Sequence, residues 1–246
     1  MHLFSHLSIS LIALMFLSCN PLKEAEKPTW FGQELDMAQV VSKRDSSVML
    51  RNGEVAGYWI WEITKTDNQI LMNDISVLTG IVREDLSGKI ERDGLYTSSL
   101  NINMEMGPNL LKVDSKRDSP THLKAVIEIS GEMNRSKSVD TVYIAAVIQR
   151  EEVFALVQAL PLKKGLSLSG DVLFSDRAAT SRMKLEVTGE EIVRVPAGTF
   201  DCYKIEFTGG EPSNTIYVSK ATPRRIVKVD VLGQPLTLEL AGSSLD

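Results

Sequence analysis

The side chains able to do chemistry in this chain are few, and their spacing excludes more than it supports. His122 is the only histidine after residue 6. A zinc site built on several histidines is therefore out of reach, and a Ser-His-Asp triad would have to use this one residue. It follows Ser119-Pro120-Thr121 and opens an expected strand, a place that suits a solvated imidazole. Paired carboxylates stand at Glu151-Glu152 and Glu190-Glu191. The first pair falls at the start of an expected helix, where negative charge is favoured by about 0.3 to 1 kcal/mol, so helix capping accounts for it better than acid-base work. The second follows Gly189 at an expected strand break and reads as solvated. Glycine-rich phosphate loops, nucleophile elbows and dinucleotide fingerprints are absent. No catalytic residue, metal ligand or cofactor site is assigned.

The two thiols, Cys19 and Cys202, have different surroundings. Residues Leu7 to Leu17 (LSISLIALMFL) form an apolar run of 11, interrupted only by Ser8 and Ser10, and no Asp, Glu, Lys or Arg precedes Lys23. That is too short to cross the roughly 30 Å hydrocarbon layer at about 1.5 Å per residue, and it suits the core of a secretory signal peptide. Phe16-Leu17-Ser18-Cys19 then resembles the lipobox of bacterial lipoproteins, in which a small residue precedes a lipidated Cys. Residues 1–18 are thus expected to be a signal peptide and Cys19 the lipidation site, with an ordinary signal peptide as the alternative. Two or more acyl chains anchor stably, since each buried methylene contributes about 0.8 kcal/mol. Asn20 in place of Asp favours the outer membrane, facing the periplasm, in a Gram-negative cell. Residues 19–29, with two prolines and several charges, read as a tether.

Residues 30–246 are expected to form one β-rich domain. Net charge is −5 with Lys and Arg dispersed, which gives no footprint for nucleic acid. Trp59, Trp61 and Ile63 alternate with Ile60, Glu62 and Thr64; Leu100, Ile102, Met104 and Met106 alternate with Asn101, Asn103 and Glu105; Leu123, Ala125, Ile127 and Ile129 repeat the pattern. Alternation of this kind places one side of a strand in oil and the other in water. Asn134 to Lys137 is read as a turn before a strand Val139 to Ile148. Further strands are expected at Leu166 to Phe174, Met183 to Val187, Ile192 to Val195, Thr199 to Phe207, Thr215 to Ser219, Arg225 to Val231 and Leu236 to Leu240.

Val153, Leu156, Val157 and Leu160 recur at helical spacing, and Pro161 ends the run. This predicts a short amphipathic helix over Glu151 to Leu160. Phe31, Leu35, Ala38 and Val41 allow a second helix within Trp30 to Lys43. The fold class is mainly β: a long curved antiparallel sheet, or half-barrel, with one or two short helices laid on it, and a β-sandwich as the alternative. Met104 and Met106, beside Leu100 and Ile102, are candidate linings of an adaptable apolar cavity, together with Trp59, Trp61 and Leu156 of the lid-like helix. Ordinary core packing is the competing account of all of them.

The stretch from Val193 to Ile205 (VRVPAGTFDCYKI) is a hairpin by its physics, with Pro196 presetting φ and Gly198 free to take φ > 0. It resembles an exported bacterial domain-of-unknown-function family sometimes called TapB-like, whose signature runs E-x-V-x-V-P-A-G-T-F-x-C-x-K-I; Glu191, Val193 and Val195 supply its opening and Pro196 to Ile205 the rest. Phe154-Ala155-Leu156, Leu160 to Gly165, Ile216 to Ser219 and Pro223 to Lys228 are similar to other segments of that family, so the likeness spans roughly 150–240. It implies a broad curved sheet around a helix, similar in shape to the LolA/LolB lipoprotein carriers, and implies no mechanism. Cys202, within the motif, is read as a buried apolar residue in preference to a reactive thiol. The functional expectation is a membrane-anchored, non-catalytic module that binds a lipid, another apolar ligand or a peptide. The alternative is an assembly lipoprotein recruiting another envelope protein, and a carboxylate-dependent hydrolase is the least favoured reading.

Overall fold

The computed structural model describes residues 29–245. The expected signal peptide, Cys19 and most of the tether lie outside the described residues. The first described element is a hairpin of two short strands, β1 (Thr29–Trp30) and β2 (Gln33–Glu34). Phe31 and Gly32 between them both take positive φ, 51° and 70°. Two successive left-handed residues cannot continue a right-handed helix. The helix expected over Trp30 to Lys43 is thereby replaced by this hairpin and a 3-10 turn at Met37–Gln39, which Asp36 caps by accepting from the Ala38 amide at 3.1 Å.

A meander follows in which each strand pairs antiparallel with the next: β3 (Lys43–Arg51), β4 (Glu54–Lys65), β5 (Gln69–Leu78), β6 (Val82–Glu91), β7 (Tyr96–Met106), β8 (Asn109–Ser119), β9 (His122–Ser130) and β10 (Arg135–Val142). The strand expected to run to Ile148 stops at Val142, and the turn is Gly131 to Asn134. After β11 (Ile148–Gln149) comes the one α-helix among the described residues, α1 (Glu152–Leu156), extended by a 3-10 turn at Val157–Ala159. A second meander completes the chain: β12 (Ser167–Phe174), β13 (Ala179–Val195), β14 (Gly198–Thr208), β15 (Asn214–Ser219), β16 (Ile226–Val231) and β17 (Leu236–Leu245). The two strands expected at Met183 to Val187 and Ile192 to Val195 are one, β13, which absorbs a bulge between Val187 and Gly189.

Strand β17 pairs with β3 along its whole length, so fifteen strands form one continuous curved, open sheet with β10 at one edge and β11 at the other. The sandwich alternative is excluded, because both meanders share one hydrogen-bonded ladder. Curvature comes from bulges in β4, β7, β8, β13, β16 and β17, each of which bends its strand and increases local twist. At Gly57 the β5 backbone comes so near that a Cβ would lie 1.8 Å from the Val77 carbonyl oxygen. Any larger residue there would push the two strands apart.

The largest core cluster lies inside this curve. It joins Trp59, Trp61, Ile63 and Met72 of the first meander to Leu185, Ile205, Phe207 and Ile216 of the second, with Val153 and Ala155–Leu160 between them. The helical segment is buried on every side, Glu152 and Gln158 included. It is a plug between two walls, which corrects the expectation of an amphipathic lid.

The two edges of the sheet meet at one end. The path from Val142 to Ile148 spans at most about 20 Å even when extended, yet it carries the chain from edge strand β10 to edge strand β11. On the way the Tyr143 amide donates to the Thr121 carbonyl at 2.7 Å and the Val147 amide to Pro120 at 3.2 Å. Leu123 and Ala125 of β9 share a buried cluster with Val147 and with Leu173 of β12.

Candidate binding cavity

Strand register builds the site. Cross-strand partners share a face of the sheet, so the pairings Trp61–Asp74, Asp74–Leu86, Leu86–Ile102, Ile102–Val113 and Val113–Ile127 form one transverse row over β4 to β9. The next row runs Trp59–Ser76–Glu84–Met104–Leu111–Ile129. Both lie on the concave face. Opposite them stand Arg150, Glu151 and Phe154 at the start of the helical segment, Phe174 at the end of β12, Asp176 just after it, and Glu211-Pro212 between β14 and β15. The space between these walls is a cavity of about 460 Å³, within the 300 to 1,000 Å³ usual for small-molecule sites.

Its lining is of two kinds. Leu86, Ile102, Met104, Met106, Leu111 and Ile129 supply apolar surface on β6 to β9; Asp74 and Glu84, at the β5–β6 end of the same rows, and Glu151, Asp176 and Glu211 opposite supply five carboxylates, against the single guanidinium of Arg150. Burial holds the Asp74 carboxyl well above its usual range, and the nearby Glu84 adds to the shift. Burial likewise raises Glu84 to about 7, with Asp176 pushing in the same direction, and Glu151 to about 7, assisted by Glu84. Such groups share protons near neutral pH.

Glu151 is oriented from behind. Gln149 Nε2 donates to Ser175 Oγ at 2.9 Å, and Ser175 Oγ donates to Glu151 Oε2 at 3.1 Å. Arg150 is occupied: Nη1 donates to the Pro212 carbonyl at 2.8 Å, Nη2 meets the Asn214 amide oxygen at 2.9 Å when that amide is oriented to satisfy its neighbours, and the guanidinium lies 5.3 Å from the centre of the Phe174 ring. Ser76 Oγ donates to Asp74 Oδ1 at 3.0 Å. The Trp61 indole, 3% exposed, has its Nε1 buried without a protein acceptor.

Of the residues expected to line a cavity, Trp61, Ile102, Met104 and Met106 do so. Trp59 instead packs beside Trp61, with ring centres 5.7 Å apart, and edge-on to Phe154 at 5.8 Å. Leu100 is fully buried and meets Met72 over Gly88. Leu156 is enclosed in the core with the rest of the helical segment. The carboxylates of the cavity were not expected, although Asp74 and Glu84 fall on the inward phase of their strands. A charge at an inward position was the signal available.

The Glu151-Glu152 pair is corrected from helix capping. Glu151 faces the cavity, and Glu152 is a buried junction: it accepts from the Thr97 amide at 2.8 Å and the Trp30 indole at 3.2 Å, and lies 3.5 Å from Arg117 Nη1. Arg117, itself 4% exposed, also donates to the Pro120 carbonyl and, at 2.8 Å, to Val147. Glu190 and Glu191 are exposed and pair with Lys220 at 2.5 Å and Lys204 at 3.9 Å. His122 does open β9, and Asp118 and Asp140 bracket it at 3.0 and 2.7 Å. Those bonds, Asp140 first, raise its pKa. Cys202 is fully buried against Val193, Tyr217 and Val227, and burial pushes its thiol up to about 12. A thiol so placed is not an activated nucleophile.

Among the described residues no group of three or more His, Cys, Asp or Glu is arranged to hold a metal ion, and no helix is long and apolar enough to cross a membrane. Residues 128–241 match the model of a family described as a protein of unknown function (DUF3108). No curated protein and no solved structure matches the chain. The matched segment contains the VPAGTFDCYKI hairpin, the helical segment and the second meander. Of the first meander it takes in only the end of β9 and β10, and it leaves out β3 to β8, which supply most of the apolar wall of the cavity.

Proposed function

We propose that this protein is a membrane-anchored, non-catalytic carrier or binding module whose cavity takes an amphipathic molecule with an apolar chain. The observation that carries this reading is the unfilled space of about 460 Å³ between a wall of Leu, Ile and Met and a buried polar end. An enclosed apolar pocket with a few convergent polar groups is the usual form of a ligand site, and the methionines let the wall adapt to its guest. A curved sheet around a buried helix also suits the LolA/LolB-like shape that the sequence resemblance implies. Met104→Trp fills the cavity from the middle of its apolar wall. We expect it to abolish uptake of a fluorescent apolar probe while leaving the far-ultraviolet circular dichroism unchanged; probe uptake equal to wild type would overturn the reading.

The anchor belongs to the same proposal. A lipid on Cys19 would hold the domain at an envelope membrane, the outer one in a Gram-negative cell. Cys19→Ala should move the protein from the membrane to the soluble fraction, and equal solubility of both forms would defeat the anchor.

A second reading, recruitment of another envelope protein, is favoured by β10. This edge strand has an open ladder, and Val142 at its end and Ile144 just beyond are 72% and 107% exposed. An extended peptide can add to such an edge.

A further inference from the structure

We propose that the ligand is a long-chain amine, its tail laid along Leu86, Ile102, Met104 and Leu111 and its ammonium set between Glu84 and Glu151. This deepens the binding reading above and rests on it. The first ground is charge. A carboxylate or phosphate head would enter a space lined by five carboxylates, and like charges at close range in a desolvated site are strongly unfavourable. The one cation there, Arg150, already serves the Pro212 carbonyl, the Asn214 amide and the Phe174 ring, which leaves it little capacity for an anion.

The second ground is what the cavity lacks. Asp74, Glu84, Glu151 and Asp176 do not converge tightly enough to form a metal-binding group, so the cation they suit is larger and more diffuse than a metal ion. An ammonium on an alkyl chain satisfies the acidic end and the oily wall with one molecule. The third ground is Trp61. Its buried Nε1 has no protein acceptor, and the residue lies directly opposite Asp74 in the wall. A hydroxyl or carbonyl oxygen beside the amine can meet that donor, whereas a plain hydrocarbon leaves it unpaired.

Proton release would accompany binding. Glu84 faces Asp176, Arg150 and Asp85; Glu151 faces Glu84, Arg150 and Ser175; Asp74 faces Glu84, Ser76, Trp59 and Glu151. Burial and the acidic neighbours together outweigh Arg150, so the site retains protons near neutral pH. An alkylammonium stays charged to about pH 10, and it displaces those protons when it binds. Its affinity therefore rises as pH rises through 7, and that of an alkyl carboxylate falls.

The test uses the intact chain and three probes of equal chain length, dodecylamine, dodecanoate and dodecanol, titrated calorimetrically at pH 6 and pH 8 below their aggregation thresholds. The expected result is binding of dodecylamine at least tenfold tighter than either of the others at pH 8, with the preference shrinking at pH 6. The pH comparison on wild type does not depend on any variant folding; Glu84→Gln with Glu151→Gln should in addition erase the preference. Dodecanoate binding as tightly as the amine, or dodecanol matching it, would overturn the amine assignment and leave the apolar cavity standing. Failure of all three to bind would overturn both.

Discussion

At the scale of single residues, the most consequential feature is carboxylates placed where proteins usually put oil. Glu84 and Glu151 titrate near 7 because burial disfavours their charged forms. The unfolded chain releases those protons near the ordinary value of 4.5. Between the two values the folded state binds more protons, so stability falls as pH rises from about 4.5 through 7. We expect thermal unfolding of the ligand-free protein to be highest near pH 5 and lower at pH 8, a loss on the order of 2 kcal/mol per group. Glu84→Gln and Glu151→Gln should flatten that slope; an unchanged pH profile in both variants would refute the assignment. These residues were only half visible in the sequence. The chain shows Asp74 and Glu84 in phase with inward neighbours, but a lone charge in a strand is normally a surface residue, and only the register across β4 to β6 shows that the two meet.

At the scale of elements, legibility followed how oily the inward positions are. Strands β4, β7 and β9 were readable because Trp59, Trp61 and Ile63, Leu100 to Met106 and Leu123 to Ile129 alternate cleanly. Strand β3 was not, since its inward positions are Lys43, Asp45, Ser47 and Met49, all buried. Lys43 lies 3.0 Å from Asp45 and donates to Gln158 Oε1 at 2.9 Å, and Ser243 Oγ donates to Asp45 at 2.5 Å. Strand β8 turns polar in the same way at Ser115 and Arg117. These polar interiors exist because the helical segment needs partners at both ends. Glu152 and Arg117 hold its start, while Arg224 Nη1 donates to the Leu160 carbonyl at 2.7 Å beyond its end. Five residues of α-helix are too few to be stable alone, so tertiary bonds fix the plug. Arg117→Ala leaves Glu152 charged and buried, and should cost about 3 to 5 kcal/mol in denaturant unfolding. A loss below 1 kcal/mol would mean that the junction does not secure the helix.

At the scale of the whole molecule, the first and last strands of the large sheet, β3 and β17, meet in its middle. The β3–β17 ladder joins Lys43–Arg51 to Leu236–Leu245, so pairing within each meander is local in sequence while the seam between them is not. The hairpin at Pro196 to Gly198 and most strands of the second meander were legible in the sequence; this seam was not, because register between strands nearly 200 residues apart leaves no local pattern. It also separates sequence family from folding unit. The segment 128–241 matched by the family model lacks Trp59, Trp61, Ile63 and Met72 from the shared core. Expressed alone, it should give a poorly dispersed amide spectrum and no cooperative thermal transition, whereas 29–246 should give both good dispersion and a sharp transition. A well-folded isolated segment would show that the second meander packs on the helix without the first.

The short crossing from Val142 to Ile148 acts as a ruler. It limits how far the edge strands β10 and β11 can stand apart at that end, as a buckle limits a belt. Residues inserted between Tyr143 and Val147 would let out the belt without altering one side chain that lines the cavity. The spread of the sheet's two edges is thus limited by a stretch of backbone that forms no part of the cavity wall.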